Sequence, residues 1–229
     1  MTIWLTKVLF VFSLAVGVPF LSFLTMRRHE IRLLPRLHVY LSASISQWLL
    51  AGLGAGVVLL TGPRLLSRAF RFPPAALFFR WTGMLAAISL AAMVLLLVIE
   101  GHGWWPEESD LVLVLIPESS REKLWAVLLV APTAAICEEF LYRGYLLSQL
   151  VDWWGNVNWA WAASSAAFGL AHVYQGLNGM ARAALLGALL ALPVVRLGSL
   201  YPSIAAHFLI DAVALAWLGP AFLKRTPAN

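Results

Sequence analysis

Five ionisable side chains stand within otherwise apolar stretches of the C-terminal half, and their types suit acid–base chemistry. Glu138 and Glu139 are consecutive, His172 ends the next apolar stretch, and His207 and Asp211 lie four residues apart in the last one. A carboxylate base and imidazoles in a site shielded from bulk water can activate a water molecule for hydrolysis. A histidine there can also donate a hydrogen bond to a developing oxyanion.

The two glutamates differ in their neighbours along the helix that they are expected to share. Arg143 follows Glu139 by four residues with the acid first, which is good spacing for an ion pair on one helix face. Glu138 lies about 100° around that helix and has no such partner, so it must find one on another helix, stay protonated or act as a base. We therefore expect Glu139 and Arg143 to form a structural pair while Glu138 faces a cavity. Phe168 precedes His172 by four residues and shares its face.

The histidine and aspartate of the last stretch leave a choice between metal-free and zinc chemistry. Asp211 can hold the tautomer of the His207 ring. Two histidines and a glutamate are also a known zinc ligand set, but the HExxH helix signature is absent. Consecutive glutamates diverge and cannot easily share one tetrahedral centre. We expect a site with no metal and no other cofactor, and keep zinc as the disfavoured alternative.

The composition places most of this chain in lipid. Of its 229 residues, 61% are apolar and 12% are charged, against about 45–50% and about 25% in soluble domains. A soluble fold of this size leaves about a third of its surface exposed and could not hide so much apolar area. We expect an integral, multi-pass protein of a bacterial-type plasma membrane, with the bilayer as a partner.

The net charge of +5 does not indicate nucleic acid. The basic residues lie between apolar runs, where they meet lipid headgroups or set topology. The sequence has no Gly-rich phosphate loop, zinc-finger spacing or RNA-binding signature, so no nucleic-acid partner is expected.

The fold class predicted from these runs is all-α, a polytopic transmembrane helix bundle of about seven spans, within a range of six to eight. The catalytic core is expected in the last four spans, and the part before it is expected to add only the membrane setting. The predicted spans are 4–25, 39–60, 81–99, 124–147, 157–174, 180–196 and 199–219. The predicted regions are 1–122 for the N-terminal helices and loops, 123–219 for the core and 220–229 for a short polar tail.

Three short motifs follow one another on successive polar-bearing spans. They read Glu-Glu-x-x-x-Arg from Glu138, Phe-x-x-x-His from Phe168 and His-x-x-x-Asp from His207. In this order they resemble the CAAX-protease and bacteriocin-processing family, also called the Abi or CPBP family of intramembrane glutamic endopeptidases. The resemblance runs from about Lys123 to Leu218.

The resemblance implies a role for each motif residue. Glu138 matches the acid that activates water, with Glu139 as its neighbour and Arg143 as a structural cation. His172 matches the histidine that works with the glutamate on water, and His207 with its aspartate matches the pair that stabilises the oxyanion.

The last motif position departs from the pattern that the family often shows. Asn is frequent there, and an amide can donate to an oxyanion, whereas ionised Asp211 only accepts hydrogen bonds. Asp211 is then either protonated, or it orients His207 and leaves the oxyanion to that ring.

Three functions remain open from the sequence. The favoured one is an intramembrane endopeptidase that uses glutamate-activated water. Its substrate would be a membrane-associated protein or peptide, including a lipidated one or a C-terminal sorting segment. The second is a non-catalytic membrane protein, such as an immunity factor, a scaffold or a proton-coupled transporter, with the same polar cluster. The third makes Cys137 a nucleophile, although a small helix residue is the better interpretation of that cysteine.

Overall fold

The described part of the chain is helical, with an isolated β-bridge between Phe70 and Ser199. The computed structural model describes residues 2–61, 69–102, 109 and 111–219; the predicted polar tail at 220–229 lies outside them. The helices are α1 (Thr2–Thr25), α2 (Arg36–Thr61), α3 (Ala75–Gly101), α4 (Leu111–Leu115), α5 (Ser120–Trp154), α6 (Val157–Ala171), α7 (Gly176–Leu197) and α8 (Tyr201–Leu218).

Within the described residues, 6 helices are long and apolar enough to cross a membrane: α1, α2, α3, α5, α7 and α8. Their outer faces carry large exposed apolar side chains, as on α2 at Leu49, Leu53 and Leu60. A water-soluble surface does not tolerate continuous apolar faces of this kind. The predicted all-α, multi-pass membrane bundle is confirmed.

The predicted span at 157–174 is shorter in the structure than in the sequence analysis. Helix α6 has 15 residues, or about 22 Å at 1.5 Å per residue, against a hydrocarbon core of about 30 Å. The chain leaves the helix at His172, and a short turn at Val173–Gln175 leads into α7. Helix α6 is therefore too short to cross the core by itself, and His172 at its end is partly buried.

A capping box and two contacts with α2 fix the position at which α5 begins. Ser119 and Glu122 form a reciprocal capping box, in which each side chain accepts a hydrogen bond from the other residue's backbone N–H. Arg36, at the start of α2, forms an ion pair with Glu118. The Tyr40 hydroxyl donates to the carbonyl oxygen of Leu115 at 3.0 Å. These contacts fix the register of α5 against α2.

A tight turn joins α5 to α6. Gly155 has φ +63°, a left-handed conformation that glycine adopts without the steric cost of a Cβ. Asn156 then caps α6, because its Oδ1 accepts hydrogen bonds from the backbone N–H groups of Asn158 and Trp159. Since the turn is short, α6 is an immediate neighbour of α5.

Two apolar clusters bring the polar-bearing helices together. In the larger one, Leu14, Tyr145 and Phe168 are fully buried and join α1, α5 and α6. In the smaller one, Leu85, Leu190 and Ile210 join α3, α7 and α8. Helix α8 also packs against the middle of α5, and α2 packs against the same part of α5 from another side. Helix α5 therefore contacts both of the other helices that carry motif residues, α6 and α8.

Helices α6 and α7 approach each other closely at Gly169. A Cβ on Gly169 would stand 2.7 Å from the Cβ of Ala184 and 2.8 Å from the backbone oxygen of Met180. Small residues allow such an approach between helices in lipid.

We predict that Gly169→Ala lowers the thermal unfolding midpoint, because overpacking a tight contact costs about 1–3 kcal/mol. The measurement is the unfolding of purified protein in detergent, followed by tryptophan fluorescence. Gly52→Ala is the matched control, since a Cβ there meets nothing within 4 Å. Equal midpoints for the two variants would contradict this packing.

Candidate active site

The predicted pair of Glu139 and Arg143 is confirmed. Nη1 of Arg143 lies 3.0 Å from Oε1 of Glu139, with side-chain exposures of 2% and 0%. The pair lies in a π-helical stretch of α5, Glu139–Leu146, a local widening that is frequent at functional sites. A charge buried this completely needs an opposite charge beside it.

Phe168 and Gly187 complete the surroundings of the arginine. The guanidinium carbon lies 4.0 Å from the centre of the Phe168 ring, so the cation stacks on an aromatic face. A Cβ on Gly187 would lie 3.0 Å from Nη2 of Arg143 and 3.0 Å from the Phe168 ring. Helix α7 thus leaves just enough room for the guanidinium at this point.

His207 bonds to the same buried carboxylate. Its Nδ1 donates to Oε1 of Glu139 at 2.8 Å. Asp211 approaches the other side of the ring, with Oδ2 at 3.5 Å from Nε2. Glu139 therefore holds Nδ1 from the facing helix, a partner for the ring that the sequence analysis did not name. Asp211, one turn further along α8, reaches only the Nε2 edge.

His172 is held by its own helix. Its Nδ1 lies 2.8 Å from the carbonyl oxygen of Phe168, and a carbonyl oxygen can only accept, so Nδ1 carries the proton. The residue follows the last turn of α6, where such carbonyls lack helical partners. This bond turns Nε2 away from α6 and toward α5.

Three polar atoms converge from three helices. Oε2 of Glu138 lies 3.9 Å from Nε2 of His172 and 4.0 Å from Nε2 of His207. Both distances are too long for direct hydrogen bonds, and both suit a bridge through one water molecule. Since each Nδ1 is already bonded, the two imidazoles present the same kind of atom to one carboxylate oxygen. The structure thus brings Glu138 and both histidines together.

Burial divides the site into two layers. The inner layer is Glu139, Arg143 and His207, whose side chains are exposed by 4% or less. The outer layer is Glu138, His172 and Asp211, with side-chain exposures of 14%, 16% and 26%. Glu139 and Arg143 lie behind the outer layer, while His207 turns its Nε2 edge toward Glu138 in that layer.

One site residue was missed by the sequence analysis. Nε2 of Gln47, on α2, donates to Oε1 of Glu138 at 2.7 Å. Helix α2 therefore places a polar side chain against Glu138, which the sequence analysis did not expect of residues 1–122. An amide within an apolar span was a usable signal, because buried polar groups need partners, but no spacing rule links it to Glu138.

The described residues contain no group of three or more His, Cys, Asp or Glu side chains placed to hold a metal ion. Three of the nitrogen and oxygen atoms at this site already have hydrogen-bond partners. The two Nδ1 atoms bond to Phe168 and Glu139, and Oε1 of Glu138 accepts from Gln47.

The fold and the site together define a class: a multi-pass membrane protein with a carboxylate–imidazole centre between three helices. Residues 120–213 match the family model described as Rce1-like, type II CAAX prenyl endopeptidase Rce1-like. The predicted resemblance to CAAX proteases is thereby confirmed for this segment, which runs from α5 into α8. Members of the family are in general membrane-embedded proteases that act on membrane-associated substrates. No curated protein and no solved structure matches the chain.

We predict that Arg143→Ala sharply lowers the yield of folded protein, because removing one partner of a buried ion pair costs about 3–5 kcal/mol. The measurement is the monodisperse fraction after detergent extraction and its thermal midpoint. Arg80→Ala, on an exposed position of α3, is the control and should behave as the wild type. Normal folding of Arg143→Ala with loss of activity would instead assign Arg143 to the chemistry.

Proposed function

We propose that this chain is an intramembrane endopeptidase that hydrolyses a peptide bond of a membrane-associated protein or peptide with water activated by Glu138. The observation that carries the proposal is the convergence of Oε2 of Glu138 with the Nε2 atoms of His172 and His207 inside a membrane bundle. The family match over residues 120–213 supports it independently.

The first half of the reaction is proton removal and attack. Water bound between Glu138 and His172 transfers a proton to Oε2 while its oxygen bonds to the carbonyl carbon of the substrate. Nε2 of His172 accepts the second hydrogen bond of that water. This bond orients the water so that a lone pair of its oxygen points at the carbonyl carbon. General-base assistance of this type contributes about 10²–10⁴-fold to a rate.

The second half is stabilisation of the oxyanion and departure of the amine. Doubly protonated His207 donates from Nε2 to the oxyanion, and its positive charge is balanced by Glu139 at 2.8 Å and Asp211 at 3.5 Å. The intermediate then collapses, the C–N bond breaks, and Glu138 returns its proton to the leaving nitrogen. The products are a carboxylate and an amine, and no covalent enzyme intermediate forms.

The substrate follows from the setting and from the family. A site among membrane spans selects proteins or peptides that are themselves held in the bilayer. The matching family is described as a CAAX prenyl endopeptidase family, so we propose a lipidated C-terminus as the first substrate class to test. A C-terminal sorting segment without a lipid is the second.

We predict that Glu138→Gln abolishes cleavage while leaving expression and thermal stability unchanged. Glutamine keeps the shape of the side chain and still accepts the Gln47 hydrogen bond, but it cannot take a proton from water. The measurement is mass spectrometry of new peptide termini in membranes of cells that produce the wild type or the variant.

Cys137→Ala is the matched control for that experiment. Cys137 adjoins Glu138 in sequence, yet its side chain is fully buried in the larger apolar cluster. Its loss should leave the pattern of termini unchanged. If Glu138→Gln gives the wild-type pattern, the non-catalytic alternatives replace the protease. If Cys137→Ala alone removes the new termini, the cysteine is the nucleophile.

We predict that cleavage survives treatment with a strong zinc chelator. The proposed chemistry needs only the carboxylate and the two imidazoles, whereas a zinc enzyme loses its activated water when the metal is removed. The measurement is hydrolysis of a quenched fluorescent peptide, in farnesylated and unmodified forms, before and after chelation. Loss of activity that added zinc restores would make His172 and His207 ligands and contradict the metal-free site.

A further inference from the structure

Gln47 fixes the orientation of the Glu138 carboxylate. Its Nε2 lies 2.7 Å from Oε1 of Glu138, at the short end of the range for N–H···O hydrogen bonds. The amide donates to Oε1, while Oε2 is the oxygen that faces His172 and His207. The two oxygens of one carboxylate are thus in different environments.

This difference decides which oxygen can act. An oxygen that already accepts a short hydrogen bond is a weaker proton acceptor, and the amide that bonds to it cannot take up a proton itself. Rotation of the carboxylate about its last bond would otherwise exchange the two oxygens, because such terminal torsions are broad and roughly two-fold. The Gln47 bond removes that exchange.

We propose that Gln47 is a positioning residue that makes Oε2 of Glu138 the proton-accepting oxygen, and so gives α2 a direct part in the reaction. This inference rests on the proposed function. Gln47 lies outside residues 120–213, the segment that matches the family model, so on this proposal a helix outside the matched segment completes the catalytic centre.

Trp48 offers a control that separates positioning from packing. Its Nε1 donates to Oγ1 of Thr133 at 3.1 Å, which makes a second hydrogen bond between α2 and α5. The two bonds come from adjacent residues of α2, and only the Gln47 bond reaches Glu138. A change that merely loosens α2 from α5 should therefore have the same effect in Trp48→Phe as in a Gln47 variant.

The test compares Gln47→Met, Gln47→Asn and Trp48→Phe with the wild type, by hydrolysis of the farnesylated and unmodified fluorescent peptides. Methionine keeps the length of the side chain without a donor. Asparagine keeps the amide on a side chain that is shorter by about one 1.5 Å carbon–carbon bond. Gln47→Asn therefore provides the test if Gln47→Met fails to fold. We expect kcat to fall about ten- to a hundred-fold in both Gln47 variants, since small misplacements of reacting groups cost up to about 10²-fold. KM should change little.

An infrared measurement gives a readout that needs no substrate. The carboxylate band of Glu138 is isolated by subtracting the spectrum of Glu138→Gln, and it should shift in Gln47→Met and Gln47→Asn but not in Trp48→Phe. An unshifted band would overturn the inference. So would a kcat within two-fold of the Trp48→Phe value, or a loss confined to KM.

The outcomes also separate this inference from the proposed function. If Glu138→Gln abolishes hydrolysis while both Gln47 variants keep full kcat, only the role of Gln47 falls. If Glu138→Gln hydrolyses the peptides as fast as the wild type, this result contradicts both the proposed function and the positioning role of Gln47.

Discussion

The rest of the site depends on the contacts that the buried carboxylate of Glu139 makes with Arg143 and His207. An ionised group inside a membrane bundle is costly unless opposite charges and hydrogen bonds surround it. Arg143 supplies the charge from one turn further along α5, and His207 supplies a hydrogen bond from α8. Because these partners come from different helices, α5 and α8 must pack directly against each other. The same carboxylate thereby fixes the ring of His207 with Nε2 toward Glu138.

Helix geometry gives two consecutive glutamates different tasks. Side chains one residue apart point about 100° apart on a helix, so Glu139 faces the closed interior while Glu138 faces the more open side. Oε1 of Glu139 is held by Arg143 and His207, and the side chain is fully buried. Glu138 is held at one oxygen by Gln47 and leaves the other toward the two imidazoles. Structural support and proposed chemistry are thus divided between neighbours in sequence.

The features that depend on local spacing could be predicted from the sequence. Apolar runs of membrane length, the four-residue spacing of Glu139 and Arg143, and the order of the three motifs were sufficient to predict the bundle, the ion pair and the family resemblance. The features that were missed depend on contacts between helices. Nothing in the spacing showed that Gln47 would meet Glu138, or that Glu139 rather than Asp211 would hold Nδ1 of His207. The length of α6 was overestimated because the apolar pattern continues past His172, where the helix ends.

Trapping a covalent intermediate tests the central claim most directly, since direct attack by water on the peptide bond forms none. The measurement is a single turnover of the purified protein with the fluorescent peptides in the presence of hydroxylamine, followed by mass spectrometry of both products and protein. The account predicts a free carboxylate on the N-terminal product and an unmodified protein chain. A hydroxamate product, or an acyl group on Cys137 or any other side chain, would show a covalent route and contradict activation of water by Glu138.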